Sequence, residues 1–237
     1  MDEKALKTKT WQRVIILIVA ILMIGAMMLS YMFIVMGNSG SNSSKNDEEL
    51  LAQLQEEYDA VAAEVEDKIT KPFSEKYFSE FSKYKSEVKA YNSANANAAG
   101  LAKTDLKEGT GKTLTEGDTD YLAYYIGWCA DGTIFDSSFN MDSNDNPTSL
   151  KAPLDPSGGL IEGWNQGVIG MKLGGVRQLT ITSDLAYGEQ EICGGKNSPL
   201  KFVVMPIESD AKYKELSSKL NDLRMQIYYA MYGGMIQ

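Results

Sequence analysis

Residues 14–36, VIILIVAILMIGAMMLSYMFIVM, run for 23 positions without one charged side chain. Wound as a helix at 1.5 Å per residue the run measures about 34 Å, against a hydrocarbon core of about 30 Å, so it is long enough to span a bilayer. The alternative is a buried core helix, and an unbroken apolar run of this length argues against it. Lys4, Lys7, Lys9 and Arg13 stand before it, whereas the next cation, Lys45, is followed by Asp47, Glu48 and Glu49. The positive-inside bias then holds residues 1–13 in the cytoplasm and sends everything after the anchor to the outer side of the cytoplasmic membrane. A cleaved signal peptide would have an apolar region of about 7–15 residues ending in a small-x-small site. No such site and no lipobox cysteine follows here, so an uncleaved, single-pass anchor is the expectation, with the lipid bilayer as its partner.

Charge and composition exclude several kinds of chemistry. The 237-residue chain contains no histidine, which removes Ser-His and Cys-His nucleophiles, His-ligated metals and imidazole proton shuttles. Its 23 Lys and Arg against 32 Asp and Glu give a net charge of −9. Taking away the four cations and two acids of the N-terminus leaves 19 against 30, or −11, on the part expected outside. Binding to DNA or RNA depends on neutralising phosphates with cations, so no nucleic-acid partner is expected. No metal or cofactor is indicated.

After the anchor the chain changes character several times. Residues 37–46, GNSGSNSSKN, read as a flexible tether. In the helical region 47–91, Leu51, Leu54, Tyr58, Val61 and Val65 alternate spacings of three and four, and Tyr77, Phe81, Tyr84, Val88 and Tyr91 do so again after an interruption at Pro72. Residues 92–100 form a linker of low hydrophobicity. The same spacing returns in a C-terminal helix over 210–232, at Tyr213, Leu216, Leu220, Leu223, Ile227 and Met231. Stripes of this kind either pack on the chain itself or pair two copies as a homodimer, and the sequence leaves both open. Between 101 and 208 the period shortens. TDYLAYYIGW (119–128), VRQLTIT (176–182) and LKFVVMPI (200–207) read as strands, while LIEGWNQGVIGM (160–171) keeps Ile161, Trp164, Val168 and Met171 at helical spacing. The pattern predicts an α+β domain, an antiparallel sheet wrapped on one short helix.

Five segments in this window carry a resemblance to a known family. LKEGTG (106–111), YYIGWCADGTIFDSSF (124–139), GLIEGWNQGVIGMKLGGVRQLTIT (159–182), LAYGE (185–189) and NSPLKFVVMPI (197–207) stand in the order found in FKBP-type peptidyl-prolyl cis-trans isomerases. The resemblance implies a half-wrapped sheet of five or six strands, an apolar pocket that receives proline, and proline-containing polypeptides as clients. It also implies site residues: Tyr125, Phe135, Leu160, Trp164 and Phe202 as the proline-binding walls and floor, the Ile161 backbone N–H holding the substrate carbonyl, the Tyr187 hydroxyl as a second donor, and Asp136 at the rim near Tyr125. Read without the motifs, aromatic residues in a small α+β domain are ordinary core.

The chemistry requires no titrating base. An X-Pro bond interconverts in tens to hundreds of seconds because the amide is partly double-bonded, and an apolar enclosure with donors aimed at the rotated geometry favours the twisted amide. Two departures from the family stand close to the site. NPTSLKAPLDPSG (146–158) lacks the aromatic pair usual before the helix and offers Lys151 and Pro153 instead, and the loop between Tyr187 and Phe202 is short, with EQEICGGK in place of the usual glycine-rich segment. Ile192 is the candidate for the missing apolar contact. Both cysteines, Cys129 and Cys193, fall in this domain, and outside the membrane a disulfide between them can persist. Two separate thiols fit the sequence equally well.

Overall fold

The computed structural model describes residues 43–87 and 100–232. The expected anchor at 14–36, most of the tether, Val88, Tyr91 and nearly all of the 92–100 linker lie outside the described residues. Among the described residues no helix is long and apolar enough to cross a membrane. Two compact units result, one holding the N-terminal and C-terminal helices and the other residues 66–211.

The first unit consists of α1 (Ser43–Val65) and α5 (Ala211–Tyr232). Helix α1 begins at Ser43, inside the stretch read from sequence as tether. Lys219 meets Glu57 at 2.8 Å and Lys212 meets Glu64 at 3.5 Å, so the two helices run antiparallel. Such exposed pairs set register more than they stabilise. Val61, Val65, Tyr213, Leu216 and Leu223 of the two stripes are buried within one chain, while Leu50, Met225, Tyr228 and Tyr229 stay exposed. A second copy is therefore not needed to cover the buried part of either stripe.

The second unit opens with a π turn at Glu66–Thr70, followed by α2 (Lys71–Phe81) and the single turn α3 (Tyr84–Glu87). Pro72 sits in the first turn of α2. There its missing N–H is no loss, whereas within a continuous helix its ring would clash with the carbonyl four residues back. The interruption expected at Pro72 is thus displaced upstream, into the π turn.

Strands β1 (Leu101–Lys107), β2 (Tyr121–Cys129), β3 (Ile134–Ser137), β6 (Val176–Ile181) and β7 (Leu200–Glu208) form a five-stranded antiparallel sheet in the order β1-β6-β7-β2-β3. β4 (Phe139–Met141) and β5 (Pro147–Leu150) form a separate hairpin. Helix α4 (Glu162–Val168) fills the concave side, shorter at both ends than the 160–171 span read from its spacing. Gly163 lets it approach: a Cβ there would stand 2.3 Å from the Ile181 side chain.

Alternation along β2 divides the sheet's side chains between two faces. Tyr121, Ala123 and Tyr125 join the α4 side with Leu179, Ile181, Phe202 and Val204. Leu122, Tyr124, Ile126 and Trp128 point the other way and are also buried. Helix α2 covers that second face, with Tyr77 and Phe81 at 5.9 and 6.2 Å from the Tyr124 ring and Phe81 at 5.5 Å from Phe139. The Leu150 N–H donates to Ser74 Oγ at 2.8 Å, tying β5 to the same helix. The second stripe read from sequence is therefore the cover of a sheet. Phe81 is fully buried in this layer. Truncating it, Phe81→Ala, is expected to lower the unfolding free energy by about 3–5 kcal/mol in chemical denaturation. A loss under about 1 kcal/mol would show that α2 does not hold the sheet.

Candidate functional site

The site grows from the α4 face of β2 and β7. Tyr125 and Phe202 project from these two strands, Trp164 rises from α4, and Phe135 comes from β3. Their rings interlock: Tyr125 to Trp164 at 5.6 Å, Trp164 to Phe202 at 5.7 Å and Phe135 to Phe202 at 5.5 Å, all edge-on, with Tyr125 to Phe202 at 6.4 Å. Edge-to-face contacts at these distances are the favoured aromatic arrangement and hold each ring at a fixed tilt. Gly127 makes room for them, since a Cβ there would lie 2.8 Å from the Phe135 ring and 3.0 Å from Phe202.

Trp164 and Phe202 are buried, whereas Tyr125, Phe135, Leu160, Ile161 and Tyr187 are half-buried and pack on the same cluster. That gradient suits a floor with a partly open rim. The structure brings every one of these expected residues to one place. Asp136 joins them through its carboxylate, whose Oδ2 accepts from the Tyr125 hydroxyl and whose Oδ1 accepts from the Ser137 N–H at 2.8 Å. Burial, and next the neighbouring Asp136 charge, drive the Tyr125 phenol far above its usual range. The Tyr187 phenol moves the same way, through burial first and Asp136 second. Both hydroxyls are therefore neutral donors over the physiological range.

Ile161 is the N-cap residue of α4, and its carbonyl accepts from the Trp164 and Asn165 N–H groups at 3.0 and 3.2 Å. Its own N–H lies ahead of the helical ladder, as N-cap amides do. Where the family's aromatic pair is missing, Lys151 sends its ammonium to the Ser137 carbonyl at 3.0 Å. Ile192 is half-buried in a tight turn closed by a bridge to Gly195. Among the described residues no group of three or more His, Cys, Asp or Glu could hold a metal ion.

Arg177 is a residue that the sequence reading passed over. It is buried, donating to both Asp105 carboxylate oxygens at 2.6 and 3.2 Å and to the carbonyls of Gly167 and Ile169 at 2.8 and 3.0 Å. These two carbonyls end α4, so Arg177 fixes the helix that carries Trp164. Its signal was present in the strand alternation, which puts Arg177 on the same face as Leu179 and Ile181.

Cys129 and Cys193 are joined by a disulfide, with Cα atoms 5.5 Å apart. The bond fastens the short loop after Tyr187 to the end of β2. Cys193 has φ of 56°, a left-handed conformation that costs a non-glycine residue energy and that the surrounding structure must hold.

A profile of the FKBP-type peptidyl-prolyl cis-trans isomerase family matches residues 111–205. The FK506-binding protein of Neisseria meningitidis serogroup B is 37% identical over 109 residues, covering 46% of this chain and 93% of that protein. An FK506-binding protein of Streptomyces anulatus is 41% identical over 102 residues, or 43% of this chain and 77% of the relative. A crystal structure of a peptidyl-prolyl cis-trans isomerase from Pseudomonas syringae pv. tomato aligns with 47% of this chain and 77% of its own, at 28% identity and a TM-score of 0.35. The chain belongs to the FKBP-type peptidyl-prolyl cis-trans isomerase family and is an enzyme of that class.

The disulfide closes a sequence separation of 64 residues. Its reduction, or Cys129→Ser with Cys193→Ser, is expected to lower stability by about 4 kcal/mol in the chain-entropy view, read as a shifted denaturant midpoint with and without reductant. An unchanged midpoint would mean that the bond does not constrain the unfolded chain.

Proposed function

We propose that the protein is a membrane-anchored isomerase that turns X-Pro bonds of exported polypeptides on the outer side of the cytoplasmic membrane. The convergence of Tyr125, Phe135, Trp164 and Phe202 on one half-open cluster carries this reading. Trp164 serves as the floor under the proline ring, with Tyr125, Phe135, Leu160 and Phe202 as walls. As the amide leaves planarity its conjugation and charge separation fall, so apolar walls favour the twisted form over the planar one. The Ile161 N–H and the Tyr187 hydroxyl act as donors to the substrate carbonyls. Asp136 holds the Tyr125 ring in place through its hydroxyl, and no proton is transferred. The uncharged run 14–36 and the cations before it support anchoring with residues 1–13 inside.

Lys151 and Pro153 in place of the aromatic pair, together with the short disulfide-fastened loop, favour a second reading. In it the same pocket binds prolyl segments as a chaperone module with slow turnover.

In an assay of proline-limited refolding by the full chain, Trp164→Ala is expected to cut kcat/KM by about 30- to 100-fold through loss of the floor contact. Tyr187→Phe is expected to cost about 2- to 10-fold, one neutral hydrogen bond. Unsubstituted protein that binds the client without speeding its refolding would leave the chaperone reading standing alone.

The pH profile is a separate check. With no histidine and with the Tyr187 phenol raised by burial, the donor form is fully present below the ordinary tyrosine value of about 10 and is lost only above it. The rate of catalysis is expected to be flat from about pH 6 to about pH 9. An inflection near neutrality would contradict a mechanism without proton transfer.

A further inference from the structure

Tyr121 begins β2 and is 1% exposed, on the same face of the strand as Tyr125. The Trp164 indole Nε1–H donates to its hydroxyl at 3.3 Å. An indole has one polar atom, a donor, and Trp164 is 2% exposed. A buried donor left without an acceptor is costly, so the side of the ring that carries the N–H must face an acceptor. Turning the indole about its outer side-chain bond exchanges that side for the six-membered ring, at little cost in torsional energy. Ring contacts with Tyr125 and Phe202 fix where the plate lies. The hydroxyl of Tyr121 favours the orientation that brings the N–H to it, because the other would leave that donor buried without this acceptor. Burial raises its pKa, so it is neutral across the working range, and an oxygen lone pair is available to the indole.

We propose that Tyr121 is a positioning residue of the isomerase site, its hydroxyl holding the Trp164 N–H on the side away from the proline pocket so that the floor presents only apolar ring atoms to the substrate. The inference rests on the reading of the aromatic cluster as the prolyl site. A floor with its N–H turned toward the pocket would place a donor under an apolar proline ring and would draw water there. The contact acts on planar and twisted substrate alike, so its loss is expected in KM and leaves kcat nearly unchanged.

The test uses the full chain and two readouts. The indole N–H resonance of Trp164, identified by its disappearance in Trp164→Phe, is expected to sit downfield and to exchange slowly with solvent. In Tyr121→Phe it moves upfield and exchanges faster, and KM for a prolyl peptide rises by about 3- to 10-fold. In a Trp164→Phe background, adding Tyr121→Phe should change KM by less than about twofold, because there is no N–H left to hold. An equal KM rise in both backgrounds would overturn the proposal. So would an indole in the unsubstituted chain exchanging as fast as an exposed one, a result that does not depend on Tyr121→Phe folding. Absence of isomerase activity in the unsubstituted chain would instead remove the functional reading, while the resonance still reports whether the hydrogen bond exists.

Discussion

The central pair of strands, β2 and β7, is buried on both faces, and the rest of the isomerase unit follows from that. Of the nine residues of β2 only Tyr125 is less than fully buried, and of the nine of β7 only Glu208 is exposed. A sheet buried on one side can leave alternate positions to water, but this pair needs two apolar covers. Helix α4 supplies one and α2 the other. The first cover carries the aromatic site, because the residues that face α4 are those that meet Trp164. The second lets the strands be apolar throughout, so that side chains of the site rest on a sheet with no wet face behind it.

On this scaffold the proposed chemistry is one of shape and dryness. The cluster contains a carboxylate and several phenols, yet none of them needs to change protonation. Asp136 accepts from Tyr125, and burial first and the Asp136 charge second raise the pKa of both Tyr125 and Tyr187, which keeps the phenols as donors. Arg177 and Gly163 act at the next remove. The arginine ties off the last carbonyls of α4, and the glycine lets the helix sit close enough for Trp164 to reach Tyr125 and Phe202. The disulfide adds a mechanical constraint on the loop that follows Tyr187.

Much of this was legible in the sequence. Strand positions in 119–128, 176–182 and 200–207 follow from alternation and β-branched or aromatic content, and the five motifs name residues that meet in space. Other features were hidden for physical reasons. A three-four stripe such as Tyr77, Phe81 and Tyr84 says that a helix face is covered, but not whether a sheet, a neighbouring helix or a second copy covers it. The helix interruption sits in the π turn because Pro72 is harmless in a first turn, which the residue type alone does not reveal. Arg177 was readable from its place in the alternation, though a cation in a strand is more commonly at the surface. Tyr121 offered no such signal, since the hydrogen bond to Trp164 joins residues 43 apart.

Whether this aromatic cluster turns prolyl bonds can be read by exchange spectroscopy of a short X-Pro peptide with a substoichiometric amount of the full chain, because the cis and trans signals are observed together. Cross-peaks between them, showing exchange much faster than the spontaneous tens to hundreds of seconds, and their loss in Trp164→Ala, are the predicted result. Peptide that binds the cluster while its isomers exchange only at the spontaneous rate would contradict catalysis by the cluster.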